Sequence, residues 1–300
     1  MYLESFVLPI DVEEMIIEEK MSENAARYGY IDNAYPCCIF AQKGLREVWF
    51  DKVTIFYGGN GSGKSTLLNL IAEKLELARI APFNSGETFA NYLRRCRYTM
   101  GEDDEGNRYR IPNGSRIITS DDIFDYMLTV RTNNDDIAQN KREAREDWGR
   151  LRYGETVKMQ GMEDYELLRT QVMARSRSVS RRQFIRRMAG QEVVLQSNGE
   201  TALAYFEQRL KPDTLYLLDE PENSMSPKMQ LELVQMLEEL ARWCGCQFVI
   251  ATHSPFVLSM QGARIYDLDA NPVDIKPWWE LENVKVYSEF FKKHQQLFEQ

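Results

Sequence analysis

Residues 53–66 read VTIFYGGNGSGKST. An apolar run stops at Gly58, and Lys64 and Ser65 follow at the spacing that completes GxxxxGK[ST]. Glycines at 58, 61 and 63, with Asn60 and Ser62 between them, let backbone N–H groups converge on phosphate oxygens where side chains would block the approach. Lys64 adds a point charge and Ser65 a hydroxyl suited to Mg²⁺, and Thr66 carries the chain on. Beyond them Leu67, Leu70, Ile71 and Leu75 recur at helical spacing. The spacing predicts a strand, a phosphate-binding loop and a helix, a context that a chance glycine-rich turn would lack.

Further along, LYLLDEPEN at 215–223 places four apolar residues before Asp219 and Glu220. Such a run predicts a central parallel strand buried on both faces, with its acids emerging at the carboxyl end. Ligands bind at that edge of doubly wound sheets, so Asp219 is expected to reach a Mg²⁺ held by Ser65 while Glu220 faces an attacking water. Taken alone the two acids read as solvated loop residues, and the glycine loop turns the reading to the functional one. FVIATHSP at 248–255 predicts a second buried strand, ending in His253, one of two histidines in the chain. A lone histidine is more often structural; at a strand end its imidazole can reach the γ-phosphate or the water.

The 300 residues, 43% of them hydrophobic, suit one large α/β domain or two small ones. The apolar runs are too short to span a bilayer, and the N-terminus lacks the basic-then-apolar order of a signal peptide. A soluble, cytoplasmic protein is therefore expected. Five cysteines without a paired pattern argue against disulfide scaffolds and zinc ribbons. With 46 acidic against 37 basic side chains, the net charge of -9 disfavours indiscriminate phosphate binding.

At 195–200 the chain reads LQSNGE, where Ser197 and Glu200 have the reciprocal capping spacing of a helix start. Leu203, Phe206 and Leu210 then predict one buried face for that helix. GGNGSGKST, SNGE, LLDEPEN and ATHSP stand in the order in which the ABC-type ATPase superfamily carries its motifs, and between about Val48 and about Asp267 the chain resembles that superfamily. The similarity is closest to the soluble, SMC-like branch of AAA family ATPases. It implies a P-loop NTPase head with a central, mostly parallel sheet flanked by helices. It implies ATP and Mg²⁺ as ligands, Glu220 as general base, and Lys64 and His253 beside it. It also implies a head-to-tail dimer, with itself or with a related ATPase, sandwiching two ATPs. In such a dimer Ser197, Asn198, Gly199 and Glu200, matching the SGGE-like signature, would bind the γ-phosphate of the neighbour's ATP. A capped helix N-terminus is also an anion site, so the two readings of this stretch agree. Asn198 replaces the usual first glycine. Asn223, Ser224, Met225 and Ser226 match the D-loop at the dimer interface, and Ser226-Pro227 also suits a helix N-cap and first turn. The family glutamine that completes the Mg²⁺ shell has no clear counterpart. RIITSDDIF ends in Ser120, Asp121 and Asp122, with Ser120 the preferred substitute and a solvated loop the alternative.

Residues 121–191 are polar and helix-forming but lack sustained apolar heptads, which predicts a compact helical lobe inserted before the signature in a single domain spanning 1–300. Within it Arg175, Arg177, Arg181, Arg182, Arg186 and Arg187 fall in a run without acids. They read as a grip on nucleic-acid phosphates, a solvated surface, or a site for an acidic partner. At the C-terminus Tyr287, Phe290, Phe291, His294 and Phe298 lie near one helical face, expected to pack on its own domain. Trp49 and Phe50, just before the loop, are aromatics near an adenine or in the core. The sequence thus favours an ATP-hydrolysing switch subunit, with DNA repair or mobile-element defence through an effector protein implied by the branch it resembles. The alternatives are a transporter's nucleotide-binding subunit, against which SNGETAL and ENSMSP stand where LSGGQ and TSALD are usual, and a scaffold module with negligible turnover.

Overall fold

The computed structural model describes residues 1–10, 12–17, 19, 34–83, 85–155, 165–176, 178–189 and 197–298. Arg177, Leu195, Gln196 and the last two residues of the expected lobe lie outside the described residues. The chain divides into two compact units, Met1–Ile123 with Ala202–Gln300, and Phe124–Thr201.

In the first unit the strands are β1 (Leu3–Val7), β2 (Glu47–Trp49), β3 (Val53–Tyr57), β4 (Arg97–Met100), β5 (Arg116–Thr119), β6 (Leu215–Asp219), β7 (Gln247–Thr252), β8 (Arg264–Asp267) and β9 (Asp274–Ile275). Among the described residues they form an antiparallel sheet ordered β2-β1-β4 and a larger sheet ordered β5-β6-β7-β3-β8-β9. The larger sheet is parallel except for β9 at its edge. Every residue of β3 and β7 is buried, as the unbroken apolar runs require of a sheet covered on both faces.

Register fixes where the chemistry lies. Thr119 pairs with Asp219, Asp219 with Ala251, and Thr252 with Tyr57. The strands are parallel, so the residues that follow them, Ser120, Glu220, His253 and Gly58, all leave the sheet at the same edge.

Helix α1 (Lys64–Lys74) buries Leu67, Leu68, Leu70 and Ile71. Helix α2 spans Glu87–Arg95. Gln247 joins the two sheets: its side-chain carbonyl accepts from the N–H groups of Tyr2 and Leu3 at 2.9 and 2.8 Å, and its amide donates to Leu3 O at 2.7 Å. This polar side chain, 1% exposed, is tolerated because its hydrogen bonds are made.

Helix α3 (Ser120–Tyr153) starts in the first unit and continues in the second, which also holds α4 (Tyr165–Arg175) and α5 (Arg181–Ala189). The second unit has its own small core of Leu151, Ala174 and Phe184. Helix α6 (Asn198–Arg209) begins in the second unit and returns the chain to the first. Its buried side chains are Ala202, Tyr205 and Phe206, with Leu210 just beyond; Leu203 is only partly covered. Helix α7 (Pro227–Trp243) starts from Ser226 with Pro227 in its first turn, but the Ser226 side chain makes no capping bond. The short helix α8 is Pro255–Leu258.

One expectation fails. On helix α9 (Glu282–Lys293) the only buried side chain is Val284, and Tyr287, Phe290 and Phe291, together with Phe298 beyond it, stand about half exposed or more. The 3.6-residue spacing marks a common face without saying what covers it, and within the described residues the body of the domain does not.

Candidate functional site

The loop after β3 wraps around the start of α1. A Cβ placed on Gly58 would lie 2.5 Å from Ser62 Oγ, and one on Gly63, whose φ is +103°, would lie 2.9 Å from Ile39 Cγ2. Only glycine fits either place. The N–H groups of Lys64, Ser65 and Thr66 open α1 and have no intrahelical acceptor, so they present an anion site. Asn60, Gly61 and Ser65 are exposed, whereas Ser62 is buried with its hydroxyl unpartnered among the described residues. Thr66 turns inward, where its hydroxyl accepts from Tyr35 at 3.1 Å, leaving its N–H for a phosphate.

Lys64 is 5% exposed and folded back on its own loop, its ammonium donating to Gly58 O at 2.8 Å and Gly59 O at 3.1 Å. The same ammonium lies 3.8 Å from Glu220 Oε1. His253 Nδ1 is 3.5 Å from that oxygen, and Asn223 donates to Glu220 Oε2 at 3.2 Å. Glu220 has a φ of 47° and Ser224 of 67°, left-handed values that non-glycine residues adopt at a cost of about 1–3 kcal/mol each. Strain of this kind on both sides of the DEPENS turn points to function.

Ser65 donates to Asp219 Oδ1 at 3.1 Å. Burial pushes the Asp219 carboxyl up to about 6, although the Ser65 bond opposes the shift. Asp219 also lines a hollow of about 320 Å³ with Asn69, Thr119, Ser120 and Asp121. Asn69 follows Ser65 by one helical turn, and its Oδ1 is buried without a hydrogen-bond partner among the described residues. Among the described residues no group of three or more His, Cys, Asp or Glu side chains could hold a metal ion unaided. A hydroxyl, one carboxylate and an orphaned amide oxygen suit Mg²⁺, which takes few protein ligands and completes its shell from phosphate and water. Asp219 and Ser120 thus line one hollow, and Ser65 is tied to it through its bond to Asp219. Asp122 serves the fold instead: it accepts from the N–H groups of Ala81 and Thr119 at 2.8 and 2.7 Å.

Several contributors carry no motif. Lys43 donates to Ser62 O at 2.8 Å and Leu268 O at 2.7 Å, and Asp269 accepts from the Gly59 N–H at 2.7 Å, so both brace the loop from distant segments. Asn69 could have been found from its helical spacing to Ser65. The buried Glu222, bonded to Thr252 Oγ1, has its second oxygen unpartnered among the described residues. Of the aromatics before the loop, Phe50 is core and Trp49 is half exposed.

In the second unit the reciprocal cap is formed: Ser197 N–H donates to Glu200 Oε2 at 2.7 Å and Glu200 N–H to Ser197 Oγ at 3.3 Å. The Ser197 N–H holds the Glu200 carboxyl below its ordinary value. Asn198 accepts from Arg131, and Gly199 occupies the first turn. Of the arginines, Arg175 is engaged by Leu151 O and Gly154 O, and Arg181 lies over the Trp148 ring. Arg181, Arg182, Arg186 and Arg187 are exposed on α5.

Residues 200–259 match the family described as "AAA domain, putative AbiEii toxin, Type IV TA system". No curated protein matches the chain. Among solved structures, the SMC head domain from Thermotoga maritima is similar at 15% identity and TM-score 0.39, over 92% of this chain and 99% of that one. The Smc head domain with an extended coiled coil bound to the C-terminal domain of ScpA, derived from Pyrococcus furiosus, is similar at 13% identity and TM-score 0.37, over 81% and 94%. An ATP-binding cassette in a dimeric post-hydrolysis state, bound to ADP and Pi, is similar at 17% identity and TM-score 0.36, over 78% and 90%. The family match, with the phosphate loop and the strand-end acids, supports assignment to the ABC-type or AAA ATPase superfamily. No helix among the described residues is long and apolar enough to cross a membrane.

Proposed function

We propose that the chain is an ATPase of the ABC type, which binds ATP at the 58–66 loop, closes on a second ATPase head and reopens after hydrolysis. The observation that supports this most directly is the meeting of Lys64, Ser65, Asp219, Glu220 and His253 at one sheet edge, with Glu220 Oε1 within 3.8 Å of Lys64 and 3.5 Å of His253. Phosphates seat on the N–H groups that open α1, and Lys64 exchanges the carbonyls of Gly58 and Gly59 for phosphate oxygens. Glu220 accepts a proton from water as the water oxygen bonds to the γ-phosphorus and the bond to the ADP oxygen breaks. Lys64 balances charge on the transferring group, and His253 holds the Glu220 carboxylate in position. Ser65 and Asp219, with Ser120 or Asn69 beside them, would hold Mg²⁺, which supplies charge neutralisation of the β- and γ-phosphates.

Ser197 to Glu200 act on the neighbour's ATP, presenting a capped helix N-terminus to its γ-phosphate, and Ser224 lies in the turn that meets the other head. A partner effector in DNA repair or mobile-element defence fits the branch that the sequence resembles, and the exposed arginines of α5 offer phosphate contacts for nucleic acid. The test is phosphate release from MgATP. Wild type turns over, Glu220→Gln binds ATP but loses at least about a hundredfold in rate, and Lys64→Ala loses binding. Glu220→Gln turning over at the wild-type rate would overturn the assignment of the base.

A further inference from the structure

We propose that the hollow between the 222–225 turn and α9 receives one arginine or lysine side chain, presented between apolar neighbours by a segment of another protein. The hollow has a volume of about 650 Å³ and is walled by Met225, Trp278, Tyr287 and Phe291, with Glu222 and His253 at the side of the nucleotide site. Glu222 is 4% exposed. One of its oxygens accepts from Thr252 Oγ1, and the other is buried with no hydrogen-bond partner among the described residues. Buried carboxylates are ordinarily paired, and burial here raises the Glu222 carboxyl against the Thr252 hydrogen bond. Among the described residues no lysine or arginine lines the hollow.

The lining selects the kind of cation. A hydrated metal ion needs several oxygen ligands, whereas aromatic walls with one carboxylate suit an organic cation, whose charge meets Glu222 while its faces lie on the rings. The surroundings select its source. The apolar surface continues out of the hollow along α9, where Tyr287 is 48%, Phe290 56% and Phe291 53% exposed, and on to Phe298. A free amine would leave that rim bare, and a peptide with apolar flanks would cover it. The net charge of -9 also favours a basic partner.

The wall is tied to the strand ends. Asn283 N–H, in the first turn of α9, donates to the Tyr57 hydroxyl at 3.1 Å, and the Asn283 side chain donates to His253 O at 3.5 Å. Tyr57 is the residue before the phosphate loop. A segment seated on α9 therefore presses on the same elements that carry Gly58, His253 and the 220–225 turn.

The experiment measures fluorescence anisotropy of a fluorescein-labelled heptapeptide with a central arginine flanked by leucine and phenylalanine, against the same peptide carrying citrulline, its neutral isostere. The full chain is used without nucleotide, so failure here is distinct from failure of the ATPase reading, which phosphate release decides. The arginine peptide is expected to bind at least about tenfold more tightly, and Glu222→Gln to erase that preference. Equal affinity for both peptides, or a preference that survives Glu222→Gln, overturns the proposal. If Glu222→Gln does not fold, the exposed pair Tyr287→Ser and Phe291→Ser decides: weakened binding of the arginine peptide supports the site, and unchanged binding overturns it.

Discussion

Ser65 Oγ and Asp219 Oδ1 lie 3.1 Å apart, although 154 positions separate them in the chain. The bond joins the first turn of α1 to the end of β6, so the strand-end acid meets the glycine loop whose presence decides how that acid is read. Their meeting follows from parallel pairing, since β6 and β3 both flank β7 and end at the same level.

Asp219→Asn should stabilise the metal-free, nucleotide-free protein. Burial raises this carboxyl from 3.8 to about 6. The folded state thus keeps its proton to higher pH than the unfolded chain does, and stability falls as pH rises through that interval. Above about pH 6 the cost is constant, roughly 3 kcal/mol. Melting in EDTA should show Asp219→Asn above wild type at pH 7.5 and little different at pH 4. Equal destabilisation at both would contradict this.

Gly63→Ala should remove nucleotide binding. The new Cβ would sit 2.9 Å from Ile39 Cγ2 at a φ of +103°. Shifting the loop misplaces the N–H groups of α1, and ATP affinity should fall more than about tenfold by calorimetry.

Gln247→Leu should cost about 2–4 kcal/mol in urea unfolding, because the N–H groups of Tyr2 and Leu3 lose their acceptor in the interior. A change under about 0.5 kcal/mol would mean that β1 is held by its strand pairing alone.

The strands β3, β6 and β7 and the helix after the loop were legible because unbroken apolar runs and 3.6-residue spacing are local signals. So was the gathering of Lys64, Ser65, Asp219 and Glu220 at one sheet edge, which their places in the loop and at the strand end encode. Lys43, Asp269 and Gln247 were not legible: each acts through a backbone partner from a remote segment, which no local pattern encodes. The aromatic face of α9 was visible as a stripe, but a stripe does not say whether its cover is the same chain or another.

Ser197→Ala should cost about 1 kcal/mol in the stability of the second unit, since the Glu200 N–H loses its acceptor, while ATP affinity of the isolated chain is unchanged. A loss of ATP affinity in the monomer would instead place Ser197 at its own chain's nucleotide.

The most direct measurement is the solution mass of Glu220→Gln with and without MgATP, repeated with Ser197→Arg added. The expected result is a dimer only with MgATP, abolished by Ser197→Arg, as a site shared between two heads requires. A mass indifferent to both ATP and Ser197 would contradict the shared site and leave 195–200 as a helix cap alone.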